Sequence, residues 1–292
     1  MRALATAWLA LLLSCGPGTV AARGQHVLWA VRGEHNTVYL LGSVHVLKPG
    51  DAALPDAAER AYADAERIVM EVDLDDPAET DPTAMLAEVQ ALALLPAGQT
   101  LRTVLGRDYD AIEAHARRQG VDLGPLDPFA PWFVATTLLQ LELAQRGYSP
   151  ENGIEQTIAA RAARDHKPIT GLETTVQQLD LLAGLPLPMQ KRFLEMTLDD
   201  SDDLDAEVGE LVRAWKAGDT ATLAKLLSDE FAEFPDLYRT LTVDRNRAWM
   251  ATLTQLLQER DDYLVVVGAL HLVGRDSVVD LLEKRGYAVV QQ

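Results

Sequence analysis

Cysteine is almost missing from this 292-residue chain, since Cys15 is the only one. No disulfide can form within it, so its core is stable without covalent cross-links. Cysteine catalysis is excluded unless Cys15 itself survives unprocessed. Basic residues are scarce as well: 26 Lys and Arg stand against 44 Asp and Glu, a formal net charge of -18. No Lys/Arg cluster relieves that balance locally, which excludes a nucleic-acid groove. The acidity reads as solubility. The apolar run at residues 3–13 is too short to span a bilayer as a stable helix. There is no Gly-x-Ser-x-Gly elbow, so Ser43 is not the nucleophile of a serine hydrolase. Phosphate loops of the Gly-x-x-x-x-Gly-Lys type, dinucleotide fingerprints and a His-Glu-x-x-His helix are also absent. No repeat of solenoid period and no low-complexity linker occurs.

What is present begins with an export signal. Met1-Arg2 and the apolar run after it form a short basic and a hydrophobic segment. Leu12-Leu13-Ser14-Cys15 resembles a bacterial lipobox, in which the cysteine is lipidated and becomes N-terminal. Val20-Ala21-Ala22 fits an ordinary cleavage site instead, giving a signal over residues 1–22. The reading preferred is a lipoprotein attached to a membrane through Cys15, located in the periplasm or envelope.

Hydrophobic residues make up 48% of the chain, enough for a globular core. The most informative stretch is Tyr39-Leu40-Leu41-Gly42-Ser43-Val44-His45. The same figure returns as Val265-Val266-Val267-Gly268-Ala269-Leu270-His271. Each is a buried-strand run ending in Gly-x-x-His. In open α/β sheets ligands sit beyond the carboxyl ends of the strands, so both imidazoles are aimed at one crevice. Further strands are expected at 26–31 and 37–41, joined as a hairpin, and at 67–72, 168–171, 263–267 and 287–290. Helices are expected at 55–65, through most of 82–147, and at 153–164, 174–182, 188–198, 207–216, 220–228, 235–260 and 277–285. Within 82–147, Asp81-Pro82 and Asp127-Pro128 each read as an N-cap followed by proline. Phe129, Trp132 and Phe133 read as core. The acidic run 199–205 reads as a solvated connection, because it lacks the Gly and terminal Glu of an EF-hand loop. The fold expected is α/β, a central sheet built from both chain ends with a large helical insertion, and residues 26–292 as a single domain.

Four polar residues stand at or just past the ends of expected strands: His45, Glu71, Glu173 and His271. Two imidazoles and two carboxylates suit a divalent ion such as Mn2+, Co2+, Fe2+ or Zn2+. In that reading His45, Glu173 and His271 are metal ligands and Glu71 is the general base. Two plainer roles stand beside it: Glu71 as the buried partner of Arg245, and Glu173 as a helix cap. His26, His35, His115 and His166, in polar or turn-like settings, read as surface residues.

At these residues, and at Gly153-Ile154-Glu155, residues 167–174, Arg245-Asn246-Arg247-Ala248-Trp249 and residues 267–274, the chain resembles the TraB/GumN family, related to the Tiki proteases. The resemblance runs from about residue 26 to the end. It implies an α/β core with paired Gly-x-x-His motifs and, from the animal members, a divalent-metal-dependent peptidase. More distant relatives imply two alternatives: a His/Glu hydrolase without metal, and a non-enzymatic lipoprotein that binds haem, metal or a partner. By position it makes His45 and His271 ligands or acid–base groups. Arg245 and Asn246 become residues that orient substrate or stabilise an oxyanion. Leu270 stands where many relatives carry glycine, and Glu155 where many carry aspartate. The function expected is hydrolysis of a peptide or other small substrate in the bacterial envelope. Mass spectrometry of the mature N-terminus is expected to find a lipidated Cys15. A soluble product beginning at Arg23 would end that reading.

Overall fold

A computed structural model describes residues 25–198, 204–232 and 234–292. The export signal, Cys15 and residues 199–203 of the acidic run lie outside the described residues. Among the described residues six strands form one sheet: β1 (Leu28–Arg32), β2 (Thr37–Ser43), β3 (Arg67–Met70), β4 (Ile169–Gly171), β5 (Tyr263–Gly268) and β6 (Val289–Gln291). Their order is β4-β3-β5-β2-β1-β6. β2, β3, β4 and β5 run parallel, with β5 between β2 and β3. β1 is antiparallel to β2, and β6 antiparallel to β1. The fold is thus α/β, with strands from both chain ends and helices between. β4 is the exception, a short strand contributed from within the helical stretch.

The centre of the sheet follows directly from its side chains. Every residue of β5 is buried, as are all but Tyr39 in β2. Such strands are covered on both faces and read as continuous apolar runs. The hairpin between β1 and β2 closes through Gly33 N donating to Asn36 O at 3.0 Å. Asn36 does more than turn the chain. Its buried amide donates to Leu256 O and Asp261 O, each at 2.8 Å, and so ties the hairpin to the entry of β5.

Several helix ends match the expected caps. The Asp81 side chain accepts from Thr83 N and Ala84 N, and Gly120 ends Tyr109–Arg118 with a φ of 78°. Others differ. The helix expected to open at Asp127-Pro128 starts at Pro131, and Asp127 instead accepts from Arg102 N at 3.1 Å, serving the helix Leu101–Leu105. Residues 235–260 are not one α-helix: Pro235–Tyr238 leads into a π turn, Arg239–Val243, before Asp244–Leu256. His115 is buried rather than exposed, because it lies three residues after Ile112 on the inward face. Trp132 is core, as expected, with Phe133 edge-on against it at 5.8 Å.

The end of β2 is held from behind. Trp215 on the helix Leu204–Ala217 donates its indole N–H to Gly42 O at 2.6 Å. A Cβ at Gly42 would lie 2.4 Å from a Val27 methyl, so only glycine fits there. Trp215→Phe leaves that carbonyl without its indole donor and is expected to cost about 1–3 kcal/mol. Urea denaturation measures it, and an unchanged midpoint would mean that the indole bond contributes nothing.

Candidate active site

The four parallel strands end on the same edge, and each delivers one of the singled-out residues. Glu71 follows β3, Glu173 follows β4, His45 lies just beyond β2, and His271 closes the short 3-10 turn after β5. Gly268 sits at their centre. A Cβ placed there would lie 3.2 Å from His45 Nε2, 3.3 Å from Glu71 Oε1 and 3.6 Å from His271 Cδ2. The two imidazoles therefore face one point, well inside a limit of about 10 Å for a shared centre.

Arg245, from the helix after the π turn, lies among them. It donates through Nη2 to Glu71 Oε2 at 2.5 Å and through Nε to Glu173 Oε1 at 2.9 Å. A second, shorter contact joins Nη2 to Glu173 Oε1. Nη1 stands 3.1 Å from His271 Nε2 and 3.2 Å from Leu241 O. Gln178 donates to Glu71 Oε2 at 3.1 Å and to Glu173 Oε1 at 2.9 Å. Gly268 N donates to Glu71 Oε1 at 2.7 Å. Trp249 Nε1 approaches Glu173 Oε2 at 3.4 Å. Glu173 is not the cap of the next helix: Thr174 caps it, in a capping box with Gln177.

The two histidines are in opposite states. Asn246 is fully buried, its Nδ2 donating to Asp276 O at 2.9 Å, which turns Oδ1 toward His271 Nδ1 at 2.6 Å. His271 therefore carries its proton on Nδ1 and presents a bare Nε2 to Arg245. Burial, then the guanidinium beside it, pushes His271 down to about 3, so it is neutral. Asn246 thus acts from behind the ring and does not reach the pocket surface. His45 Nδ1 lies 2.7 Å from Glu155 Oε1, which also accepts from the Ser43 hydroxyl. Burial works against a charged His45, but Glu155 and then Glu71 outweigh it and raise the ring to about 9. Burial would likewise raise Glu71, yet Arg245 overrides it and holds the carboxyl below the usual range. The His45 side chain is 40% exposed, against 9% for both Glu71 and His271. Solvent reaches the cluster at His45.

Glu155 was not among the residues singled out from strand ends, because it arrives on the helix Ile154–Asp165. Its sequence signal was the Gly153-Ile154-Glu155 stretch of the family resemblance; in the structure a Cβ at Gly153 would collide with His45 O at 2.3 Å. Gln178 had no signal in the sequence beyond its place on an expected helix.

A family model described as TraB/PrgY/gumN matches residues 27–291. The chain belongs to this family. It is 25% identical over 268 residues to the uncharacterized protein YbaP of Escherichia coli (strain K12), covering 90% of this chain and 95% of that one. It is 24% identical over 320 residues to metalloprotease TIKI2 of Xenopus tropicalis, covering 90% of this chain and 59% of the relative. Human metalloprotease TIKI1 is 22% identical over 320 residues, with 61% of its length covered. No solved structure matches the chain.

The relatives' names raise the question whether these donors fit a metal ion. Among the described residues, no group of three or more His, Cys, Asp or Glu is placed to hold one. The expected ligands Glu173 and His271 both face Arg245, and Glu71 does so too. A divalent ion needs such atoms at about 2.0–2.2 Å from itself. In this arrangement the donors do not fit a metal.

The opposed histidines give stability two pH limbs. His45 has a folded pKa raised from 6.5 to about 9, so its contribution is full below about 6.5 and is lost as pH rises toward 9. His271 has a folded pKa lowered from 6.5 to about 3, so the unfolded chain binds more protons and stability falls as pH drops from 6.5 toward 3. Ring-resolved NMR titration is expected to show His45 protonated to about 9 and His271 neutral to about 3. Near-normal titration of both rings would contradict the description.

Proposed function

We propose that this chain is a hydrolase, acting on a peptide or related acyl bond, with its reacting centre at His45. The observation that carries the reading is the placement of that imidazole. Glu155 holds Nδ1, Nε2 faces the Gly268 point beside Glu71, and the ring is the exposed member of an otherwise enclosed polar cluster. A charged imidazole at the solvent-exposed edge of the cluster is suited to donate a proton to a leaving group or carbonyl oxygen. The Glu71 carboxylate, at the same point, steadies that charge and accepts a proton from the attacking water. Its lowered pKa makes it a weak base, so proton donation by His45 carries more of the rate. Arg245 keeps Glu71 ionised and holds neutral His271 in place. Ser43 takes no nucleophile's role, since its hydroxyl donates to Glu155.

Membership of a family with relatives named metalloproteases supports a hydrolase. Those names also favour a second reading, metal-dependent peptidase activity, which requires Arg245 to leave its present partners. The signal at the N-terminus supports an exported, envelope-located enzyme.

Two measurements test the proposal on a peptide library. His45→Gln is expected to lower turnover by about 10²–10⁴-fold. Turnover by the wild type is expected to fall as pH rises through about 9, because the active form of His45 is the protonated one. Glu155→Gln should move that fall to lower pH. Activity that climbs with pH and is abolished by chelator would favour the metal-dependent reading instead.

A further inference from the structure

A guanidinium has five N–H groups, and at Arg245 all five are used: Nε on Glu173, Nη1 on His271 and Leu241 O, Nη2 on Glu71 and Glu173. The acceptors come from four separate segments, the ends of β3 and β4, the turn after β5, and the π turn. The remaining oxygens of the two carboxylates face Gly268 N and the Trp249 indole. Two carboxylates and one neutral imidazole, each accepting from the guanidinium, are donor types that a borderline cation also takes. The centre is filled, and it is filled by a cation.

We infer that Arg245 stands in for a divalent ion in this pocket, and that Glu71, Glu173 and His271 take up a metal only when the guanidinium is removed. A second cation beside it would meet a fixed positive charge at contact distance, and the atoms nearest the centre, His271 Nε2, Glu71 Oε2 and Glu173 Oε1, are already engaged. Arg245 is also locked from its own side. The π turn before it bonds across five residues, with Asp244 N on Arg239 O, and Leu241 O accepts from Nη1. Stacked near Trp249 at 5.0 Å, the guanidinium has no slack with which to withdraw. A lysine would keep the charge but not the planar fork that reaches three acceptors together.

The experiment measures uptake directly, so its result bears on the pocket whatever bond the enzyme cleaves. Chelator-treated wild-type protein, Arg245→Lys, Arg245→Met and Arg245→Met/Glu173→Gln are titrated with Mn2+ and with Zn2+ by calorimetry, and Tm is followed in parallel. Wild type and Arg245→Lys are expected to show no saturable pocket uptake and no rise in Tm. Arg245→Met is expected to bind one ion per chain and to gain Tm on doing so, with both effects lost in the double variant. Should Arg245→Met be unfolded without metal, recovery of its folded signal on adding either ion supports the inference, and failure to recover overturns it. Wild-type uptake of one ion per chain that Glu173→Gln abolishes also overturns it; uptake that survives Glu173→Gln belongs to the acidic surface and leaves the pocket empty of metal, as inferred.

Discussion

A buried guanidinium shared by two carboxylates sets the terms for the rest of this pocket. Taking charges out of water is costly, and removing one partner of a buried pair destabilises a protein by about 3–5 kcal/mol. Arg245, Glu71 and Glu173 are each largely enclosed, so none can lose the others cheaply. That mutual dependence reaches outward. Glu71 and Glu173 keep their places only if β3 and β4 hold register, and Arg245 only if the π turn rotates the helix Asp244–Leu256 toward them. Trp249, one turn further on, lies against both the guanidinium, at 5.0 Å, and the His271 ring, at 4.6 Å.

Environment then divides two chemically identical side chains. Each Gly-x-x-His motif brings an imidazole to the Gly268 point, but the surroundings differ in sign. His45 has a carboxylate at its back and solvent at its front, and it holds a proton. His271 has an amide at its back and a guanidinium at its front, and it stays neutral, with its single proton on Nδ1. The duplicated motif is therefore not a symmetric pair of ligands. One ring is placed to exchange protons, and the other is a fixed acceptor that helps to hold Arg245.

The strands and the convergence of their ends were legible because burial writes itself into composition. A run such as Tyr263–Gly268 has few other places to go, and a strand end in a parallel sheet has a known address. Glu71 was conspicuous as a carboxylate in an apolar run, and a charged partner for it could be named. What stayed hidden depends on backbone bonding or on distant segments. The π turn leaves the apolar spacing of Leu237, Leu241 and Val243 unremarkable, since it changes which carbonyl each amide finds. Asp127 carries an ordinary capping sequence yet serves a helix twenty-five residues upstream. Glu155 meets His45 across more than a hundred residues, and the Gly153-Ile154-Glu155 stretch marked the position without naming its partner. His115 looks polar in sequence and is inward by helical position.

The pairing of β2 with β5 joins residues 37–43 to residues 263–268, and β6 adds an edge strand beside β1. The strand that lies between β2 and β3 thus leaves the ribosome well after both. Loop closure over such a span is entropically slow compared with local helix formation, so the helices between have time to form first. Until β5 arrives, β2 and β3 lack the strand that lies between them, and Glu71 lacks the Gly268 amide. A nascent or truncated chain therefore carries His45 and Glu71 without an assembled centre.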